Sequence, residues 1–187
     1  MAVVRVLKGP FTVDDYYRLA ECGILHEDDR VELIDGQVVP MTPIGVRHAS
    51  RVAYLTDVLT KLAGRDAAII VQNPVRLETR SEPQPDVTVV RRRSDYYRQA
   101  HPTPADTLLV IEVADSSIDY DRDVKVPLYA RTGIPEVWLC DLPRERVEVY
   151  REPGPDGYQS VRTLAPGDTL TALSLPSVTL PVADVLG

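Results

Sequence analysis

The stretch Thr107–Val113, which reads TLLVIEV, is almost continuously apolar and predicts a central β-strand. Both faces of such a strand are apolar, so we expect it to be covered on both sides. Side chains alternate along a strand, which groups Leu108, Val110, Glu112 and Ala114 on one face. A carboxylate buried there costs several kcal/mol unless a cation accompanies it. Glu112 is therefore the first candidate functional residue; the alternative is a structural carboxylate paired with Arg or Lys.

The segment after this strand predicts a helix over about 121–132 that ends at Gly133 and packs back over the sheet. Pro127 inside it predicts either a kink or a later helix start. Lys125 lies on this segment and is a candidate to orient an attacking water or to stabilise developing charge. The alternative for an isolated Lys is a solvated position on the helix surface.

A second candidate carboxylate, Asp86, opens a predicted strand over 86–90, because the residue before a proline is extended and Val87–Val90 favours strands. Two carboxylates on neighbouring strands, Asp86 and Glu112, can bind one Mg²⁺, which takes one or two carboxylates and keeps several waters. A metal-bound water is a nucleophile for phosphate esters. The alternative for Asp86 is an ordinary turn residue that precedes a strand.

The first part of the chain predicts a helix from Thr12 to about Glu21, a β-hairpin and a second helix over about 46–63. The hairpin is predicted from two β-rich runs, 31–34 and 37–39, on either side of Asp35-Gly36. Glu32 in this hairpin is a candidate third metal ligand or the partner of a cation. His48, near the start of the second helix, is a candidate contact of a phosphate or of a ligand carboxylate; the alternative is a structural histidine.

The remaining predicted strands complete a mixed α/β (α+β) fold, in which a mixed β-sheet is flanked by helices and carries extra N- and C-terminal β-hairpins. The strands are expected over 67–71, 74–77, 136–140 and 147–150, with short strands from Tyr158 onward. We find no repeat and no linker, and we therefore expect a single domain over 1–187.

Composition limits the function classes. The 187-residue chain carries a net charge of −7, which argues against a broad nucleic-acid-coating surface. The basic residues cluster only at Arg91–Arg93 and Arg98, among tyrosines. No secretory signal or membrane-length apolar run occurs, and Cys22 and Cys140 fit no metal or redox spacing. We expect a cytoplasmic protein with reduced thiols.

Short motifs in a fixed order resemble the Uma-two family, usually described as restriction endonucleases of the PD-(D/E)XK nuclease superfamily. The motifs are VELIDG (31–36), RH (47–48), QPDV (84–87), VIEV (110–113), DRDVKVPLYA (121–130) and GIPEVW (133–138). The resemblance extends from about Thr12 to the end of the chain. It implies a restriction-endonuclease-like fold, and Mg²⁺ or Mn²⁺ held by Asp86 and Glu112 with Glu32 close by.

One position departs from the superfamily pattern, which has Lys two residues after the acidic residue. Ala114 stands there, and the resemblance implies that Lys125 of the next helix takes this role. We therefore expect a metal-dependent endonuclease acting on nucleic acid, most simply DNA, and by analogy a homodimer that cuts two strands. The alternatives are an inactive nuclease-fold binding or regulatory domain and a metal-dependent hydrolase of small phosphate esters. Whether the side chains of Asp86, Glu112 and Lys125 converge distinguishes the endonuclease from the inactive binding domain. The salt dependence of binding distinguishes a duplex substrate, which releases many counterions, from a small phosphate ester, which releases few.

Overall fold

A six-stranded sheet in the order β4-β5-β6-β7-β8-β9 forms the centre of the computed structural model, which describes residues 7–26 and 28–187. The strands are β4 (Ala67–Val71), β5 (Val87–Arg91), β6 (Thr107–Ala114), β7 (Glu136–Asp141), β8 (Arg146–Gly154) and β9 (Gly157–Leu164). Neighbouring strands are antiparallel except for β6 and β7, which are parallel. Every residue of β6 is buried, which confirms the predicted central strand.

A helical segment connects the parallel strands β6 and β7 and covers one face of the sheet, as a parallel crossover requires. It consists of α3 (Ile118–Tyr120), a π-helical turn (Asp121–Lys125) and α4 (Val126–Arg131). The segment therefore begins earlier than the predicted helix over 121–132.

The helical segment passes through Pro127 because of the π turn. Within this turn the Val126 N–H bonds to the carbonyl of Asp121, five residues earlier, and Lys125 and Val126 keep helical dihedral angles. Pro127 then lies in the first turn of α4, where a missing N–H is tolerated. Of the two alternatives for Pro127, a kink or a later helix start, the later start does not occur, and Lys125 lies on a helical turn.

The opposite face of the sheet is covered by α2 (Val46–Leu62), which agrees with the predicted helix over 46–63. Its buried residues Leu55 and Leu59 belong to the same apolar cluster as Ile111 and Trp138 of the sheet. The C-terminal elements complete this layer: β10 (Thr169–Thr171), β11 (Thr179–Pro181) and α5 (Val182–Leu186). The β10–β11 hairpin was expected, but the sequence did not predict α5, and β9 is a full strand of the main sheet.

The N-terminal hairpin forms as predicted, from β2 (Val31–Ile34) and β3 (Gln37–Pro40). Both turn residues have positive φ, 50° at Asp35 and 78° at Gly36, as a two-residue type I′ hairpin turn requires. A short strand, β1 (Leu7–Lys8), pairs with the outer side of β3.

The first helix, α1 (Val13–Glu21), packs its buried Val13 with Val31 and Leu33 of this hairpin. Thr12 and Asp15 form a reciprocal capping box at its start. Residues 1–6, for which the sequence predicts no secretory signal, lie outside the described residues. Within the described ranges, none of the helices has the length and apolar character needed to cross a membrane.

The predicted strand over 74–77 is wrong. Residues 74–77 belong to no strand on either side of β5, whose two edges pair with β4 and β6. The backbone of this segment bonds instead to loops, from Val75 N–H to Pro83 and from Arg76 N–H to Pro102. Val75 and Leu77 are apolar because they are buried against the α3–α4 side of the sheet.

The predicted face of Leu108 is also wrong. The register between β5 and β6 shifts between Val89 and Val90, so that Val90 lies opposite Thr107 and Val89 opposite Leu109. Leu108 is the extra residue of this bulge and packs in the same cluster as Leu109. Alternation holds beyond the bulge, and Glu112 remains on the face of Val110 and Ala114.

A fully buried carboxylate, Glu136, links β7 to β8 and to the chain after β10. Its Oε1 accepts hydrogen bonds from Trp138 Nε1 (3.0 Å) and Arg151 Nη2 (2.7 Å), and its Oε2 accepts one from Leu173 N (2.7 Å). The substitution Glu136→Ala leaves these donors unpaired and should lower the free energy of unfolding by about 3–5 kcal/mol.

Urea denaturation of Glu136→Ala and Asp57→Ala tests this role. Asp57 pairs with Lys61 on the exposed surface of α2, where an ion pair contributes little, so its removal should change the urea midpoint only slightly. Equal midpoints for both variants would contradict a structural role for Glu136.

Candidate functional site

A cavity of about 400 Å³ opens between the hairpin, the start of α2, the central strands and the π turn. The five residues selected from the sequence all line it: Glu32, His48, Asp86, Glu112 and Lys125. The structure thus brings them together from five separate elements.

Asp86 lies directly before β5, and both of its carboxylate oxygens accept hydrogen bonds. Its Oδ2 accepts the backbone N–H of Val113 (2.9 Å), and its Oδ1 accepts His48 Nε2 (2.9 Å) and Gln72 Nε2 (3.3 Å). Burial by itself raises the pKa of Asp86, but the hydrogen bond and charge of His48 and the Val113 N–H outweigh it. The pKa of Asp86 therefore lies below its ordinary value, and the side chain is ionised.

Glu112 is buried beneath the helical segment, as its position in β6 predicts. Its Oε1 accepts hydrogen bonds from Tyr129 Oη (2.6 Å) and Lys125 Nζ (3.3 Å). Burial raises the pKa of Glu112 to about 8, against the opposing charge of Lys125, and the nearby Asp121 and Asp86 add to the increase. Within this protein alone the protonated form of Glu112 is therefore favoured at neutral pH, and a further cation would favour its ionised form.

Lys125 projects from the π turn into a group of three carboxylates. Its Nζ lies 3.2 Å from Glu32 Oε2, 3.3 Å from Glu112 Oε1 and 3.9 Å from Asp121 Oδ1. Burial opposes the charged form, but these carboxylates outweigh it and raise the pKa of Lys125 well above its ordinary value. The side chain is therefore a fixed ammonium. Ala114, at the superfamily position of the lysine, is buried in the core.

Glu32 and His48 connect the carboxylates of the cavity to neighbouring parts of the chain. Glu32 Oε2 also accepts the backbone N–H of Gln84 (3.2 Å), which fixes the hairpin against the loop before β5. His48 bonds to Asp86, which is one of its two expected partners, and its Nδ1 is buried without a partner among the described residues. The hydrogen bond to Asp86 raises the pKa of His48 in spite of burial.

Asp121, Tyr129 and Gln72 also belong to this site, although the sequence analysis did not select them. Asp121 and Tyr129 stand four residues before and after Lys125, a helical spacing that brings side chains to one side and could have indicated them. Gln72 has no such signal. Its backbone adopts a positive φ of 49° after β4, and its N–H bonds to the Asp86 carbonyl.

The basic cluster Arg91–Arg93 with Arg98 does not join the cavity. It begins at Arg91, the last residue of β5, which lies five residue steps, about 17 Å, along the chain from Asp86. Arg93 pairs with Asp95 and lies over the ring of Tyr97. The guanidinium that does line the cavity belongs to Arg30, which is exposed and forms no ion pair within residues 7–26 and 28–187.

The cavity gathers several acidic side chains. Four of its carboxyl groups are 2–9% exposed, and the basic side chains that line the cavity with them are Lys125, His48 and the exposed Arg30. These carboxylates are Glu32, Asp86, Glu112 and Asp121. Hard oxygen donors of this kind suit Mg²⁺ or Mn²⁺.

No three His, Cys, Asp or Glu side chains of the described residues converge at metal-ligand distance. The Lys125 ammonium contacts both Glu32 and Glu112. Mg²⁺ needs only one or two carboxylates together with waters, and Asp86 and Glu112 both line this cavity.

Comparison with curated proteins finds no match. Among solved structures, the chain is similar to a protein from Anabaena variabilis ATCC 29413 described as "a putative nuclease belonging to DUF820". The TM-score is 0.75 at 18% sequence identity, and the match covers 95% of this chain and 98% of that one. The fold is therefore the restriction-endonuclease-like fold expected from the sequence. The family model Uma2, described as "Putative restriction endonuclease", matches residues 13–183, and the chain belongs to this family, the Uma-two family of the sequence resemblance.

Proposed function

We propose that this chain is a metal-dependent endonuclease that hydrolyses phosphodiester bonds of DNA. The observation that carries the proposal is the convergence of four buried carboxyl groups and the buried Lys125 ammonium in one open cavity. Burying ionisable groups is costly, and strongly perturbed ionisable groups that line a cleft cluster at functional sites. The family and the fold support a nuclease.

In this proposal Asp86 and Glu112 would hold Mg²⁺ or Mn²⁺, with Glu32 beside them. Such a cation would lower the pKa of a bound water and would place positive charge beside the phosphate. His48 and the Val113 N–H fix the orientation of Asp86, and Tyr129 fixes that of Glu112. Lys125, held by Glu32 and Asp121, donates hydrogen bonds toward the attacking water and offsets the charge of the reacting phosphate.

The contact between Lys125 and Glu112, in a cavity shared with Asp86, favours this reading over an inactive binding domain. We further propose that the chain works in the cytoplasm, because both cysteines are free thiols, which suits a reducing compartment. We also propose that it forms one domain, because the apolar clusters lie on the two faces of one sheet. A homodimer would supply one cavity for each strand of a duplex. Sedimentation with and without duplex DNA tests that assembly.

Cleavage of supercoiled plasmid in Mg²⁺ or Mn²⁺ should depend on Glu112 and Lys125. Removal of a metal ligand or of a donor to developing charge reduces such rates by on the order of 100-fold or more, so Glu112→Gln and Lys125→Met should both be nearly inactive. The matched exposed controls, Glu21→Gln and Lys61→Met, should cleave normally, and EDTA should stop all cleavage. Cleavage that survives Glu112→Gln would contradict the proposed site.

Mn²⁺ should also stabilise the folded protein. A ligand at 100 times its Kd stabilises the folded state by about 2.7 kcal/mol, which raises Tm. The variants Asp86→Asn and Glu112→Gln should lose most of this increase in a thermal shift titration, whereas Asp57→Asn on the exposed surface of α2 should keep it. An undiminished increase in Asp86→Asn would exclude Asp86 as a ligand.

Arg30 should contribute to duplex binding, because it is exposed at the cavity, whereas Arg98 belongs to the distant basic cluster. Loss of one phosphate contact reduces the slope of log K against log [salt] by about 1. Anisotropy titrations of a labelled duplex at several salt concentrations should show that reduction for Arg30→Gln and no change for Arg98→Gln. The opposite pattern would move the binding surface to residues 91–98. A slope near zero in the unmodified protein would favour a small phosphate ester as the substrate.

A further inference from the structure

The basic cluster Arg91–Arg93 with Arg98, which the nuclease proposal leaves without a role, surrounds the most exposed tyrosine of the described residues. Tyr96 is 73% exposed, whereas the next most exposed, Tyr17, is 39% exposed and donates its hydroxyl to Glu82. Exposed aromatic rings among basic side chains are typical of surfaces that bind unpaired nucleic acid, because bases stack on the rings and phosphates meet the cations. The cluster therefore calls for a closer look at its conformation and its charges.

The turn that carries Tyr96 is held in place by its neighbours. Tyr96 and Tyr97 both have positive φ, 50° and 59°, a conformation that is costly for bulky side chains. Tyr97 anchors the turn, because its Oη donates to the carbonyl of Arg91 (2.6 Å) and the Arg93 guanidinium lies over its ring. Arg93 also donates two hydrogen bonds to Asp95 (3.1 and 3.0 Å). These contacts fix the backbone, and the ring of Tyr96 is left to the solvent.

Three guanidinium groups around Tyr96 keep their positive charge without a carboxylate partner. Arg91 Nε (3.4 Å) and Arg92 Nη2 (2.7 Å) each donate to a backbone carbonyl, which orients a guanidinium but does not cancel its charge. Neither of these arginines, nor Arg98, forms an ion pair with any residue that the structure describes. All three are exposed, so their remaining donors are open to a ligand.

The carboxylates of this region are too few to neutralise it. Asp95 is already paired within the turn, and Asp106 accepts the backbone N–H and the hydroxyl of Thr103 (3.0 and 2.7 Å). The adjoining residues Arg65 and Asp66 carry opposite charges. Five arginines thus stand against three aspartates, and the surface is a positive region on a chain whose net charge is −7.

We propose that Arg91, Arg92, Tyr96 and Arg98 form a second nucleic-acid-binding surface, which binds an unpaired strand. The ring of Tyr96 stacks on a base, and the guanidinium groups bind the flanking phosphates, whose oxygens match their planar donors. A duplex keeps its bases stacked inside the helix, so it offers none to this ring. An acidic peptide would satisfy the guanidinium groups with its carboxylates but would leave the ring uncovered.

The experiment measures the anisotropy of a labelled oligothymidylate, which does not pair with itself, and of a labelled duplex, both in EDTA. The key variant is Tyr96→Asn, because Asn tolerates the positive φ and its Tm should stay the same or rise. Loss of the stacked ring should weaken binding of the oligothymidylate by about 5- to 150-fold. Tyr96→Phe keeps the ring and should bind it normally, and duplex binding should be the same in both variants.

The salt dependence of the same titrations tests the phosphate contacts. Loss of one contact to a single strand reduces the slope of log K against log [salt] by about 0.7, so Arg98→Gln should show that reduction with the oligothymidylate. Arg18→Gln removes an exposed arginine of α1, outside the cluster, and should leave the slope unchanged.

The outcomes keep this surface separate from the proposed nuclease site. Unchanged binding of the oligothymidylate by Tyr96→Asn would overturn the proposal, and so would an equal loss of binding in Tyr96→Phe, which excludes stacking. An unmodified protein that does not bind the single strand would also overturn it and would leave the surface to an acidic protein partner. Plasmid cleavage by Tyr96→Asn in Mg²⁺ should be unchanged, so failure of this proposal leaves the nuclease function in place.

Discussion

The ammonium of Lys125 is the charge around which the functional part of this protein is arranged. It joins the hairpin through Glu32, the central strand through Glu112 and its own π turn through Asp121. Each of these groups is almost completely buried, so each loses hydration that only the neighbouring opposite charges replace. The apolar clusters on both faces of the sheet provide the stability that allows this costly arrangement.

The π turn gives Lys125 its place in that arrangement. One extra residue in the turn moves the hydrogen bond of Val126 back to Asp121 and lets the helix continue into Pro127. Short π segments are frequent at functional sites because they redirect side chains without ending a helix. Here Asp121, Lys125 and Tyr129 come to the same side, above Glu112. The helix thereby supplies the cation that the strand, with Ala114, does not.

The sequence predicted the elements whose signals are local. The apolar run ending at Val113 indicated the central strand, Asp35-Gly36 indicated the hairpin turn, and a carboxylate inside a covered strand indicated Glu112. Predictions failed where long-range pairing decides the outcome. Val75 and Leu77 are apolar because they are buried, and only the tertiary structure reveals that this segment bonds to loops and not to a strand.

The same limit applies within the site. Gln72 reaches Asp86 through a backbone bend that no local pattern encodes, and the bulge at Leu108 depends on register with β5. The spacing around Lys125 could have indicated Asp121 and Tyr129, but helical spacing alone does not identify which side faces the sheet.

The cavity is built from residues far apart in the sequence, so it forms only as the chain folds. Glu32 meets the Gln84 backbone across 52 positions of sequence, and Lys125 must fold back over β6 before its ammonium reaches Glu112. Each of these contacts requires a loop to close, and the loss of loop-closure entropy comes before the contact stabilises the chain. A nascent or partly folded chain therefore contains the carboxylates without the cavity. The chemistry of this site becomes available only when the tertiary structure is complete.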